Sequence, residues 1–408
     1  MTPYSSLPYF LLVILLAVPM LVTAQRGLAV GAKWLLGAMV VMLLAQYSLA
    51  WLTVAPGVVM PELVALIIFG AYQWGLLRLV LRLKQRRGSS WWAVPLGLLP
   101  LVLAKFLPEI VHGWSFGFAG ISYVTFRALD ALFMACDGVL AEAGAMDFLM
   151  FLFFFPTLSA GPVDRFRRFQ KEWRTRREPA KFWADMEAGV DLVFRGILYK
   201  FVIATLIERQ LIEHFKKSEG WPGMIAYAYS YGFNLFFDFA GYSAIAIGVS
   251  RWFGVETPPN FNKPFAALNI REFWNRWHMS LSFWFRDHVY SRFLLMAVKK
   301  KWFKSRQTPA RIGYFVSFGL MGLWHGSAWY YLLYGFYHGL MMAIYDVFAE
   351  WKKKHPGRFT GRGWKWAGWF LTLNVVIFGF WIFSSHVLRQ AEPKGKEPVT
   401  GVVDRDTR

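Results

Sequence analysis

The sequence predicts an all-α polytopic membrane protein, with about ten or eleven transmembrane helices plus interfacial or re-entrant helices. Three observations predict it. Of 408 residues, 56% are hydrophobic and 17% charged, and the mean hydropathy is +0.35. Apolar runs of about 20 residues, the length that crosses a bilayer, recur along the chain. Basic residues gather in short segments between those runs, as the positive-inside rule requires.

In chain order, spans are expected at 8–24, 33–54, 59–82, 91–107, 145–160, 188–208, 222–250, 312–330, 331–348 and 366–385. The start, MTPYSSLPYFLLVILLAVPM, lacks a basic region before its apolar run and is expected to be a retained span rather than a signal peptide. Segment 115–136 carries Arg127 and Asp130, three apart on a helix and able to pair. It reads as a span with a buried ion pair or as a re-entrant element. In FFFPTLSAGPVDRFRRFQKEW (153–173), Pro156 and Pro162 interrupt an apolar run before a basic stretch. An ordinary cytoplasmic helix end and a broken element lining a cavity both fit. The expected organisation is N-terminal helices at 1–140, a core at 141–350, a basic loop with the last span at 351–386, and a polar, disordered tail at 387–408.

The net charge of +20 comes largely from KQRR (84–87), RFRRFQKEWRTRR (165–177), KKKWFKSR (299–306) and KKKHPGRFTGRGWK (352–365). Their placement between spans points to topology and anionic lipid, not to nucleic acid. A cytoplasmic basic surface can also dock an acidic soluble protein. The single cysteine, Cys136, excludes an intrachain disulfide framework.

Segment 271–290, REFWNRWHMSLSFWFRDHVY, is too charged for an ordinary span. As one continuous helix it would align Arg271, Asn275, His278 and Ser282 on one stripe. That stripe suits an interfacial helix or a wall of a wet cavity. His325, in GLWHG between Gly322 and Gly326 and beside Trp324, is an ionisable group at expected membrane depth and thus a site candidate. Histidine is the usual general base near neutral pH. The competing reading is a histidine hydrogen-bonded to a neighbouring helix. His338 lies thirteen residues on, about 220° around an unbroken helix, so the two share a face only if the helix breaks near 327–331. Packing is its simpler role. Asp238, within FFDFAGYS, needs a partner or a wet cavity. No metal site is expected, because no histidine pair has the i, i+4 spacing of a zincin and no Cys or Glu sits beside the candidates. A Ser-His-Asp hydrolase would need a G-x-S-x-G elbow, which the sequence lacks.

Five segments in order, FFFPTLSAGPVDRFRRF (153–169), FFDFAGYS (236–243), NFNKPF (260–265), REFWNRWHMSLSFWFRDHVY (271–290) and MGLWHGSAWYYLLYGFYHG (321–339), resemble the membrane-bound O-acyltransferase (MBOAT) superfamily. The closest resemblance is to its D-alanyl transfer branch. The resemblance covers about residues 150–340. It implies tilted helices around a central funnel in a bacterial plasma membrane, with His325 catalytic and His278 its partner. Asn275, Ser282, Trp324, Gly322, Gly326, Asp238 and His338 become candidates for the substrate path. The implied donor is a D-alanyl thioester on the phosphopantetheine of an acidic carrier protein, with no cofactor bound to the chain itself. Arg165, Arg167, Arg168, Lys299 and Lys300 are the docking candidates. The implied acceptor is a surface polymer such as teichoic acid, and a small membrane peptide is a further implied partner. Exopolysaccharide O-acetylation and a non-enzymatic transporter remain as alternatives.

Overall fold

Apolar helices dominate a computed structural model that describes residues 3–47, 51–55, 58–85, 90–111, 117–218, 220–305 and 307–384. The expected tail 387–408 lies outside the described residues. Among the described residues, six helices are long and apolar enough to cross a membrane: α1 (Leu7–Gln25), α3 (Glu62–Gln85), α4 (Ala93–Ile110), α11 (Gly220–Trp252), α16 (Trp329–Lys354) and α17 (Arg362–Phe383). Between 17% and 44% of each apolar window is buried in the protein. Side chains such as Leu7, Leu11 and Leu15 are therefore left for lipid. The protein is a multi-pass membrane protein. Other expected crossings fall on shorter or interrupted helices. α2 (Ala32–Tyr47) gives way to a hairpin of β1 (Trp51–Ala55) and β2 (Val58–Pro61), which begins within segment 33–54 and runs past its end to α3.

The chain divides into two units. Among the described residues, the first comprises those up to Ile197 and Gly241–Pro258, and the second Leu198–Ala240 and those from Pro259 to 384. The segment expected as a core, 141–350, contributes to both.

In the first unit, α5 (Ile121–Cys136) is the most enclosed helix, with Arg127 and Asp130 both buried. They do not pair with each other as expected. Arg127 donates to the carbonyls of Phe151, Leu152 and Thr157. These carbonyls are freed where α6 (Ala145–Leu152) stops and a single 3-10 turn, Phe155–Thr157, follows with Pro156 in it. Backbone acceptors in an apolar interior must be satisfied, and the guanidinium does this. The interruption expected within 153–173 is present, and Phe154, Phe155 and Leu158 are buried in protein there. Asp130 instead accepts from Arg165 at 2.8 Å and from the Phe166 backbone N–H at 2.9 Å. That carboxylate caps α7 (Phe166–Arg174), where the helix dipole favours negative charge. α8 (Pro179–Ile197) completes this unit's helices, together with the C-terminal part of α11.

The second unit begins with wide π turns, Leu198–Ala204 and Glu208–Ile212, alternating with α9 (Thr205–Ile207) and α10 (Glu213–Phe215). Its remaining α-helices are the N-terminal part of α11, α12 (Ile270–Trp274), α13 (Met279–Phe285), α14 (Ser291–Lys299), α15 (Thr308–His325), α16 and α17. Segment 271–290 is not one helix. α12 ends at Trp274, and His278 adopts a left-handed conformation (φ 41°) before α13. The expected stripe is broken at this residue. α15 ends at His325 and α16 starts at Trp329, so the break that the two histidines require is present.

Candidate active site

The α15–α16 hairpin is the frame of the site. A Cβ at Gly322 would lie 2.2 Å from the Tyr331 carbonyl oxygen, and one at Gly335 would lie 2.2 Å from that of Phe318. Small residues thus let the two backbones nearly touch. Sequence reading gave Gly322 and Gly326 to substrate approach. In the structure, the Tyr331 backbone occupies the first position and the Tyr331 ring the second.

His325 closes α15 as its last residue and is partly exposed. Its ring stands edge-on to Phe383 of α17 at 4.9 Å and lies 6.1 Å from Tyr331, 6.2 Å from Tyr334 and 4.6 Å from Trp324. Four aromatic rings therefore hold the imidazole at the hairpin turn. Tyr334 connects it to His338, whose ring centroid is 4.6 Å from Tyr334 and 5.0 Å from Trp274. His338 is fully buried, and Gly379 of α17 leaves room for it: a Cβ there would be 2.4 Å from His338 Nε2.

His278 is set from a different direction. The Met279 backbone N–H donates to the Asn260 carbonyl at 2.8 Å. Asn260 Oδ1 accepts from Ser280 Oγ at 2.8 Å and stands 2.9 Å from His278 Nδ1. With Oδ1 as acceptor, Nδ1 carries the proton and Nε2 keeps its lone pair. Nε2 has no hydrogen-bond partner among the described residues. Phe239 packs edge-on at 4.7 Å. Burial, with a smaller push from the charge of His325, lowers this imidazole to about 3. His278 is neutral at physiological pH and feels the charge state of His325.

A cavity of about 320 Å³ opens beside these helices, lined by Arg271, Asn275, Ser282, Arg286, Tyr290 and Tyr314 above an apolar floor that includes Trp274 and Phe318. Arg271 is anchored to Asp346 at 2.8 Å. The predicted stripe splits: Arg271, Asn275 and Ser282 line the cavity, whereas His278 turns into the aromatic core. Asp238 is half-exposed and paired with Lys200 in the first π turn.

The docking candidates divide as well. Arg165 is tied to Asp130, and Arg168 to Asp164. Arg167 is exposed and bonds only the Val139 carbonyl among the described residues. Lys299 and Lys300 are exposed and have no acidic partner there. Sequence reasoning missed Asn260, Tyr334 and Gly379. Asn260 was visible in the NFNKPF segment, but only the turn at His278 gives it a task.

Likeness to known proteins sets these residues in a membrane acyltransferase. The chain is a member of the MBOAT, membrane-bound O-acyltransferase family, whose profile matches residues 83–387. It is 39% identical to a teichoic acid D-alanyltransferase of Bacillus subtilis (strain 168), over 94% of this chain and 98% of that one. It is 34% identical to a teichoic acid D-alanyltransferase of Lacticaseibacillus rhamnosus, over 94% and 96%. A probable alginate O-acetylase of Pseudomonas aeruginosa is 30% identical, over 72% of this chain and 52% of that one.

Proposed function

We propose that this acyltransferase passes D-alanyl groups, in a bacterial plasma membrane, from a carrier-protein thioester to a hydroxyl of teichoic acid. The observation that carries the reading is His325 at the end of α15 remote from the basic segment 299–306. Eighteen residues at 1.5 Å each set it roughly 27 Å from the start of that helix. The basic segment is cytoplasmic by the positive-inside rule, so the base faces the outer side, where a surface polymer lies. End-to-end likeness to two teichoic acid D-alanyltransferases favours D-alanyl over acetyl transfer, because the alginate O-acetylase is matched over only 52% of its length.

In this reading His325 takes the acceptor's hydroxyl proton as the oxygen attacks the thioester carbonyl. The C–S bond breaks, and the proton passes to the departing thiolate. His278 is held in a tautomer whose Nε2 accepts hydrogen bonds, so oxyanion donation falls to the Asn275 amide or to backbone N–H groups. The cavity receives the phosphopantetheine arm, with Arg271 and Arg286 at its polar edge facing the phosphate. Lys299 and Lys300 offer unpaired charge to an acidic carrier. A small membrane peptide as intermediate acceptor is compatible with the same base.

The test is reconstitution in liposomes with carrier bearing radiolabelled D-alanine, beside His325→Ala. Label should leave the carrier for a membrane acceptor only when His325 is intact. Discharge by the variant at the wild-type rate would remove His325 from the chemistry. No carrier binding at all would favour acetyl transfer.

A further inference from the structure

The first unit holds a second cavity, of about 530 Å³, outside the acyl-transfer site. Arg78 and Arg82 of α3 and Arg174 of α7 line it, with Glu142, Asp147 and Gln170. The acidic members do not satisfy the arginines equally. Asp147 is buried and already accepts from Gln170 at 2.7 Å, Trp173 at 3.0 Å and Arg174 Nε at 2.9 Å. Arg174 is therefore committed to Asp147. Arg78 and Arg82 have neither an ion pair nor a hydrogen bond among the described residues, and the Arg78 guanidinium only overlies the Trp74 ring at 5.8 Å.

Their position makes this costly. α3 is a candidate span over Glu62–Leu83, so Arg82 sits at its end and Arg78 one turn deeper, about 6 Å along the axis. An exposed, unpaired guanidinium one turn inside a span needs an anion or a route to water. Leu79, between them in sequence, is exposed and apolar, as a lipid-facing residue would be. The KQRR segment that follows places this end of α3 on the cytoplasmic side. Two arginines at headgroup depth beside an exposed apolar side chain match the chemistry of a phosphodiester that carries acyl chains.

We propose that this cleft is a binding site for one anionic phospholipid headgroup of the cytoplasmic leaflet. Glu142 at the rim disfavours a headgroup of higher negative charge, so a singly charged phosphodiester of the phosphatidylglycerol type fits best. The site is separate from the acyl-transfer chemistry and stands whether or not the D-alanyl reading holds.

The test titrates the full-length protein in detergent with phosphatidylglycerol or phosphatidylcholine and counts retained lipids by native mass spectrometry. The wild type should retain one phosphatidylglycerol in preference to phosphatidylcholine. The Arg78→Gln, Arg82→Gln pair should weaken that retention roughly thirtyfold, at the usual worth of two basic residues near an anionic surface. The Arg78→Lys, Arg82→Lys pair keeps the charge and should keep most of the retention. Equal retention of the two lipids, or retention unmoved by the glutamine pair, overturns the proposal. Displacement of the lipid by millimolar glycerol phosphate would overturn the lipid source in favour of a free anion.

Discussion

His278 and Asn260 show how one residue can set the state of another. Asn260 Oδ1 accepts hydrogen bonds from His278 Nδ1–H and from the Ser280 hydroxyl. Replacing Asn260 with alanine leaves buried donors without an acceptor, at a cost of about 1–3 kcal/mol. It should also lower acyl transfer by freeing the ring. Thermal unfolding together with the transfer rate checks this, and lost stability with unchanged transfer would reduce Asn260 to a brace. The buried imidazole has a second consequence. Its folded pKa, about 3, lies below the roughly 6.5 of an unfolded histidine. The unfolded chain then binds a proton that the folded chain does not. The stability His278 contributes is complete above the unfolded value and is lost as pH falls from there toward 3. The slope is at most about 1.4 kcal/mol per pH unit. Unfolding temperatures measured from pH 8 to pH 5 should fall less steeply for His278→Gln than for the wild type, and parallel curves would contradict the assignment.

Packing between helices carries the next level of the argument. Gly322→Ala drives a methyl against the Tyr331 carbonyl, where backbone cannot yield, and should destabilise by about 1–3 kcal/mol. Gly37→Ala in α2 meets nothing within 4 Å and should be neutral or stabilising by up to about 1 kcal/mol, as alanine favours helix. Unfolding of the two variants side by side separates packing from propensity, and equal effects would deny the close backbone approach. Long apolar helices such as α1 and α17 were legible in sequence because length and hydropathy alone define them. A break near 327–331 was the stated condition for His325 and His338 to share a face, and the structure breaks the helix between His325 and Trp329. The continuous helix over 271–290 was not observed, since periodicity cannot register one left-handed residue at His278. The Arg127–Asp130 pair also failed, because three-residue spacing says nothing about carbonyls released by a break some 25 residues later. His325 was singled out from its chemistry in an apolar run, and the structure places it at the end of α15. Tyr334 and Gly379 act only through tertiary contact, which one sequence does not display.

At the scale of the whole molecule, charge sets orientation, and orientation decides whether His325 can meet a surface polymer. The segments 299–306 and 352–365 are strongly basic, and both precede or follow the α15–α16 hairpin. Both ends of the hairpin should thus be cytoplasmic, and its turn at Gly326–Ala328 should lie toward the other face. The chain is well suited to testing this, because its one cysteine, Cys136, is buried in α5 and contributes little background labelling. Lys300→Cys and Ser327→Cys replace exposed residues at the two levels. In intact cells, a membrane-impermeant maleimide should modify Ser327→Cys and spare Lys300→Cys, whereas inverted vesicles should reverse the pattern. Labelling of both from one side would put the hairpin turn and the basic segment on the same face. His325 would then be cytoplasmic, with its acceptor hydroxyl required to come from inside, and transfer to an external polymer by this base would be ruled out.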